Sequence, residues 1–445
     1  MATLRELAVR LAAGATSGRA LVEACLARIA DPEGEGGRAF IRLYEAEARA
    51  SADAMDTLRR AGRAPGPFAG IPISIKDLFD VAGETTAAGS EVLAGAPPAA
   101  ATAPAISRLM AVGFVLIGRT NMTEFAFSGV GINPHYGTPK SPWDRAAGRI
   151  AGGSSSGAAV SVSDGFAYGA IGTDTGGSCR IPAALCGITG FKPTARRVPL
   201  TGVLPLSPSL DSVGPMANSV ACCAALDAIM AGEDARALPE IGVSGLRLVL
   251  PVDLAFMDIE PAVERALDRA VARLEKAGAL IDRRDFPVFD DIGAAHARGG
   301  FAPAEAFAWH RGLLATDAHR YDPRVASRII PGGDMLAADY FVLTQARARI
   351  VRRFAADMAE YDALILPTVP LAPPRIADFA PEEAYRRLNY LLLRNPSMIN
   401  FVDGCAISLP CHAPGEAPAG LMLAAPAMAD ARLLGIAGSV EGVLQ

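Results

Sequence analysis

The sequence predicts an α/β protein, and three observations point there. Apolar residues make up 51% of the 445 and charged residues 20%, the balance of a globular enzyme able to build a sizeable core. A helical stretch beginning at Pro104 runs into the short apolar run Phe114-Val115-Leu116-Ile117, an alternation of helix and buried strand. The alternation returns later, where Leu246–Leu250 is followed by Val263, Leu267, Ala270, Val271 and Leu274 at helical spacing. At this length one large α/β domain and two fused lobes are both open.

Taken in order, Leu21, Val22, Cys25, Leu26 and Ile29 repeat at helical spacing behind the candidate caps Thr16 and Ser17. A second helix is expected from about Tyr44 to Arg60. Gly62-Arg63-Ala64-Pro65-Gly66-Pro67 breaks the chain, and Ile71-Pro72-Ile73-Ser74-Ile75 alternates into Lys76, which places Lys76 at a strand end. The strand over Phe114–Ile117 is expected to stop at Gly118. From Gly148 to Pro193 glycine, serine and threonine dominate, yet Ala158-Ala159-Val160 and Ala167 to Ile171 are apolar pieces that a flexible linker does not need. This segment is read as active-site backbone. Further helices fill much of 301–360, and Leu364-Ile365-Leu366 makes a short strand before Pro367. Pro370 to Pro374 forms a proline-rich loop. Ala406-Ile407-Ser408-Leu409, Leu421-Met422-Leu423 and a last helix close the chain.

The net charge of −5 is small for this length and the basic residues are scattered, so no nucleic-acid partner is expected. Arg5, Glu6 and Arg10 interrupt the apolar residues of Met1 to Gly14, unlike a secretory signal, and no run approaches a membrane span. Seven cysteines without a C-x-x-C pair and five histidines without H-E-x-x-H argue against a disulfide framework and a zinc site. The expectation is a cytoplasmic protein with no metal and no cofactor, its histidines on solvated or loop positions.

Gly152-Gly153-Ser154-Ser155-Ser156-Gly157 taken alone has the composition of a linker. A second run, Gly172-Thr173-Asp174-Thr175-Gly176-Gly177-Ser178, changes that reading, because two glycines before a serine let backbone N–H groups converge on one point. An oxyanion hole requires such donors. Lysine is scarce: Lys76, Lys140, Lys192 and Lys276 are the only four. Arginine cannot give up its proton in a protein whereas a buried lysine can, so Lys76 after an apolar strand is a candidate base.

Gly70 to Asp77, Gly118-Arg119-Thr120-Asn121-Met122 with Glu124-Phe125, Gly152 to Gly157, and Gly172 to Pro193 together resemble the amidase signature family, with order and spacing kept over about Phe68 to Pro215. The two serines, Ser154 and Ser178, are 24 residues apart, the family's interval. The resemblance implies one large α/β domain over 1–445, a twisted mixed sheet covered by helices on both faces. Within it, 1–65 would supply N-terminal helices, 66–215 the catalytic block, and 216–445 a divergent substrate-side and C-terminal part.

The resemblance also implies roles. Ser178 attacks the carbonyl, Ser154, after a cis peptide bond from Gly153, relays protons, and Lys76 is the base. Backbone N–H groups of Thr175, Gly176, Gly177 and Ser178 hold the oxyanion, with Gly153, Ser155, Asp174 and Arg180 in support. Cys179 stands where an aliphatic residue is common and Ser156 where glycine is frequent; both replacements are small. Since the base starts near a pKa of about 10.4 and is lowered by burial, activity should rise toward alkaline pH.

Three rival readings stand beside this one. Gly153-Ser154-Ser155-Ser156-Gly157 also satisfies the G-x-S-x-G elbow of α/β-hydrolases with Ser155 as nucleophile, which needs a strand immediately before it. A glutamine-hydrolysing A subunit of a tRNA-dependent amidotransferase shares the catalytic block; the apolar stretch Asn389 to Pro410 favours a stand-alone amidase. A noncatalytic scaffold would be free to lose Lys76, Ser154 and Ser178, which are all present. By analogy the substrate, a small apolar or aromatic amide or carbamate, meets Phe125, Ala126 and Phe127 within Glu124–Gly131, with Phe301, Phe307, Trp309, Tyr340 and Phe341 as candidates for an apolar wall. Assembly is open, a homodimer being compatible.

Overall fold

The computed structural model describes residues 1–445 except the side chain of Leu254. Its strands are β1 (Phe40–Leu43), β2 (Pro72–Lys76), β3 (Val115–Thr120), β4 (Ala170–Thr173), β5 (Thr189–Lys192), β6 (Val213–Ala217), β7 (Arg247–Pro251), β8 (Leu280–Arg284), β9 (Ala363–Pro367), β10 (Cys405–Pro410) and β11 (Gly420–Ala425). They form one sheet in the order β1-β3-β2-β4-β6-β5-β10-β11-β9-β7-β8. β2 runs parallel to β3 and β4, and β7 parallel to β8 and β9, while the pairings between these two groups are antiparallel. The sheet is mixed and continuous, the single α/β domain that the resemblance implies.

Central strands β2, β4, β6 and β9 are buried along their whole length, the pattern of strands covered on both faces. The main core takes residues from Leu4 to Val440, so both ends of the chain pack into it. A second cluster, including Phe286, Phe289, Phe354 and Phe401, lies beneath the late helices.

The first predicted helix is capped by Ser17, whose side chain accepts from Ala20 N; Thr16 precedes the cap. β3 does not stop at Gly118 but continues to Thr120. The reason is the neighbouring strand: a Cβ at Gly118 would lie 2.5 Å from the Arg42 carbonyl and 2.8 Å from the Phe40 ring. Glycine here lets β1 close against β3. The serine-rich stretch holds a helix, Ser156–Ser163, β4, a second helix, Arg180–Cys186, and β5.

Candidate active site

Two parallel strands bring the first pair of groups together. Ile75 of β2 lies opposite Ile171 of β4, so both strands end at the same edge and Lys76 emerges beside Thr173. The Lys76 ammonium donates to Ser154 Oγ at 2.7 Å and to Thr173 Oγ1 at 2.9 Å. Its side chain is fully buried. Burial lowers its pKa from 10.5 to about 8, with Cys179, Asp211 and Asp174 opposing part of the fall.

Ser154 is presented by a folded-back loop. The Gly153–Ser154 peptide is cis, and the loop is pinned on both sides: Gly153 N donates to Gly129 O at 2.8 Å and Thr123 N donates to Ser154 O at 3.0 Å. Gly131, at φ +86°, sits so close that a Cβ would lie 2.3 Å from Gly152 O; a side chain there would push the loop away. Ser155 N then donates to Ser178 O at 3.3 Å, which fastens the Ser154 loop to the second serine run.

The turn carrying Ser178 is organised by Asp174. Its carboxylate accepts from Gly177 N at 2.8 Å, Cys179 N at 3.1 Å, Arg180 Nη2 at 2.8 Å and Nε at 3.0 Å, and Asn400 Nδ2 at 3.0 Å. Burial alone would raise its pKa, but the Arg180 guanidinium wins and holds it well below the usual carboxylate range. Thr175 Oγ1 donates to Asp211. Gly177 therefore spends its N–H on Asp174, which differs from the oxyanion role the resemblance implies for it. The N–H groups of Thr175, Gly176 and Ser178 make no hydrogen bond to any described residue. Burial pushes the Cys179 thiol up, and its Sγ donates to Gly214 O at 3.5 Å; neither feature favours a thiolate.

Ser155 donates its hydroxyl to Thr173 O at 3.4 Å, and residues 141–153 contain only turns, a short 3₁₀ segment and isolated bridges. The strand that an α/β-hydrolase elbow requires is absent among these described residues.

Glu124 anchors the segment leading to the predicted substrate residues. Fully buried, it accepts from Ser90 Oγ at 2.7 Å and Asp322 N at 2.7 Å, and its other contact is His135 Nε2 at 2.9 Å. Burial raises its pKa against these partners. Phe125 and Ala126 follow at φ +50° and +60°, a left-handed pair that costs about 1–2 kcal/mol per residue and is held by the surrounding packing. Phe125 lies edge-on to His310 at 4.4 Å and near Tyr321 and Trp309.

The aromatic wall differs from expectation. Of its five members Trp309 reaches Phe125, whereas Phe301 packs on Tyr340 and Phe401 in the second core and Phe341 is exposed. Periodicity marks apolar residues but not which face of a helix meets the site. His310 is likewise buried on a helix, not solvated, because its ring fills the space between Phe125 and Trp309. Sequence reasoning misses Asp211 and Asn400. Both lie beyond the glycine-serine runs, and polar residues in such positions carry no distinguishing signal until the fold closes.

A family model described as Amidase matches residues 20–434. The 2-amino-5-chloromuconic acid deaminase of Comamonas testosteroni is 37% identical over 452 residues, spanning 99% of this chain and 96% of its own. The A subunit of the glutamyl-tRNA(Gln) amidotransferase of Symbiobacterium thermophilum is 33% identical over 468 residues, spanning 97% of this chain and 94% of its own. A solved amidase structure superposes with a TM-score of 0.90 at 31% identity, covering 100% of both chains. With this fold and this serine-lysine site, the chain belongs to the Amidase family. Its reaction is hydrolysis of an amide C–N bond. No helix is long and apolar enough to cross a membrane among the described residues.

Proposed function

We propose that Ser178 is the nucleophile of this amide hydrolysis, Ser154 the proton bridge and Lys76 the base. The observation that carries the reading is the 2.7 Å bond between the buried Lys76 Nζ and Ser154 Oγ, on a loop tied to Ser178 through Ser155 N. Neutral Lys76 takes the Ser154 proton as Ser154 takes that of Ser178, and the Ser178 Oγ–carbonyl carbon bond forms. The N–H groups of Thr175, Gly176 and Ser178 receive the developing oxyanion. The tetrahedral adduct expels the amine as the C–N bond breaks, and the relay returns the proton to the leaving nitrogen. Water then attacks the acyl-enzyme along the same relay, so amide plus water gives carboxylic acid plus amine. Thr173 accepts a Lys76 N–H at 2.9 Å, which holds the amine within reach of Ser154.

The catalyst is taken to act without partner subunits in the cytoplasm. The Comamonas relative is named for an acid, which adds acid-bearing amides to the apolar and aromatic amides and carbamates worth testing. Purified protein and Ser178→Ala are compared on chromogenic anilides, carbamates, aliphatic amides, acid amides and free glutamine. At least one should be hydrolysed, and the variant should lose about 10³-fold or more. Full activity in Ser178→Ala would remove the nucleophile assignment; turnover of glutamine alone would favour the amidotransferase reading.

A further inference from the structure

We infer that Glu305, which lies outside the segments carrying the family resemblance, is a positioning residue for the oxyanion turn. Through the loop from Leu206 to Asp211 it fixes Thr175, whose N–H receives the developing charge. The inference rests on the amide-hydrolase reading above.

Gly176 and Gly177 bring no side chains to the turn, so its conformation depends on what holds the groups around them. Gly177 N is held by the Asp174 carboxylate, and Thr175 is held by its own hydroxyl, which donates to Asp211. Asp211 in turn accepts from Leu206 N at 3.0 Å and Ser207 N at 3.1 Å. The next residue, Ser212, donates its hydroxyl to Asp174 O at 2.8 Å and accepts from Asp174 N at 2.8 Å. The place of Thr175 is therefore set by the place of this loop. From the end of β5 at Lys192 to the start of β6 at Val213 the chain forms no helix or strand. Irregular chain of that length in a compact domain is usually functional, and here its shape is held from outside.

Glu305 does the holding. Partly buried on the Phe301–Asp317 helix, its carboxylate accepts from Ser207 Oγ at 2.7 Å and Ser209 N at 3.0 Å with one oxygen. The other oxygen accepts from Ser209 Oγ and, at 2.7 Å, from Tyr340 Oη. All four donors are neutral, and an ionised acceptor makes such bonds roughly twice as strong as a neutral one would. Arg347 grips the same residue from the other side, donating to Ser209 O at 2.9 Å and to Phe401 O at 2.9 Å. Ser209 is thus clamped between a carboxylate on one helix and a guanidinium on the Ala337–Asp357 helix.

The helix that carries Glu305 also meets the predicted substrate segment, because Trp309 and His310, about one turn further on, lie against Phe125. One helix therefore touches both the segment expected to receive the substrate and the loop that sets an oxyanion donor. A misplaced donor loses most where charge develops, in the transition state, so the cost of disturbing Glu305 falls on kcat rather than KM.

Glu305→Gln keeps the shape but puts an NH2 group, which cannot accept, in place of a charged oxygen. Wild type, Glu305→Gln, Thr175→Val, the double variant, Ser209→Ala and Ser178→Ala are compared on p-nitrophenyl butyrate, whose activated leaving group needs the oxyanion donors but little proton transfer. We expect Glu305→Gln to lower kcat about 10–100-fold, less than the 10²–10³-fold of a donor removed outright, with KM changed less than about threefold. Ser209→Ala should move kcat the same way by a smaller factor. Thr175→Val cuts the last link to the turn, so in that background Glu305→Gln should cost less than about threefold, whereas a contribution to stability alone gives losses that multiply. If Glu305→Gln shows no cooperative thermal transition, Ser209→Ala takes its place in the cycle. Ester turnover that persists in Ser178→Ala counts against the catalytic reading and not against this link, which hydrogen exchange over residues 173–179 reads without any turnover: it should be faster in Glu305→Gln than in wild type. Wild-type kcat in Glu305→Gln, a loss confined to KM, multiplying losses in the cycle, or unchanged exchange over 173–179 overturns the assignment.

Discussion

Burial lowers the Lys76 ammonium to about pH 8, so the neutral amine grows as pH rises through that value and is scarce well below it. kcat/KM should therefore climb from pH 6 to a plateau above about 9, with a midpoint near 8; a flat or acid-favouring profile would speak against Lys76 as the base. Lys76→Arg keeps a charge in the same place but cannot become neutral, so its activity should stay near background at every pH. The base was legible in the sequence through the scarcity of lysine and the apolar run before it. Its second partner Thr173, and the carboxylates of Asp174 and Asp211 that hold its pKa up, become apparent only when β2 and β4 lie side by side.

At the scale of elements, the turn after β4 is shaped by a buried ion pair that also receives Asn400 from the Glu382–Phe401 helix. Arg180→Met would leave the Asp174 carboxylate buried without its cation, a loss of about 3–5 kcal/mol. The urea midpoint should fall accordingly, and activity should fall with it because Gly177 and Cys179 are aligned by the same carboxylate. The strands around Lys76, Leu364 and Leu421 were readable because each short apolar run is bordered on one side by glycine or proline. β1 and β8 were not: β1 is four residues of which only Phe40 is buried, and β8, Leu-Ile-Asp-Arg-Arg, is an edge strand with most of its residues exposed. Neither has the burial that leaves a pattern in the sequence.

Across the whole molecule, the sheet ignores the division at residue 215. β5, within the signature block, is bonded to β10, whose residues follow more than two hundred positions later, and Asn400 reaches back to Asp174. A fragment of residues 1–215 would leave β5 without one neighbour and Asp174 without Asn400. It should fail to give a cooperative thermal transition, whereas the full chain should unfold in one; a fragment melting cooperatively by calorimetry would show that the block folds alone. Alternating helix and strand announced the α/β class, and the resemblance supplied the single mixed sheet. Which late strand completes the early ones had no local signal, since pairing across such a separation is settled by burial of the whole sheet.

The Glu382–Phe401 helix meets the site along one stripe. Tyr385 binds Ser128, Asn389 accepts from Gly129 N and Ser128 Oγ, Pro396 O accepts from Arg180, and Asn400 binds Asp174. These positions are spaced by one, two and one helical turns along the axis, like teeth of a gear cut at one pitch. Removing a single residue between Asn389 and Pro396 would turn the early teeth by about 100° relative to the late ones. Pro396 and Asn400 would keep their hold on Arg180 and Asp174, while Tyr385 and Asn389 would leave Ser128 and Gly129, so the length of this segment keeps two sides of the site in step.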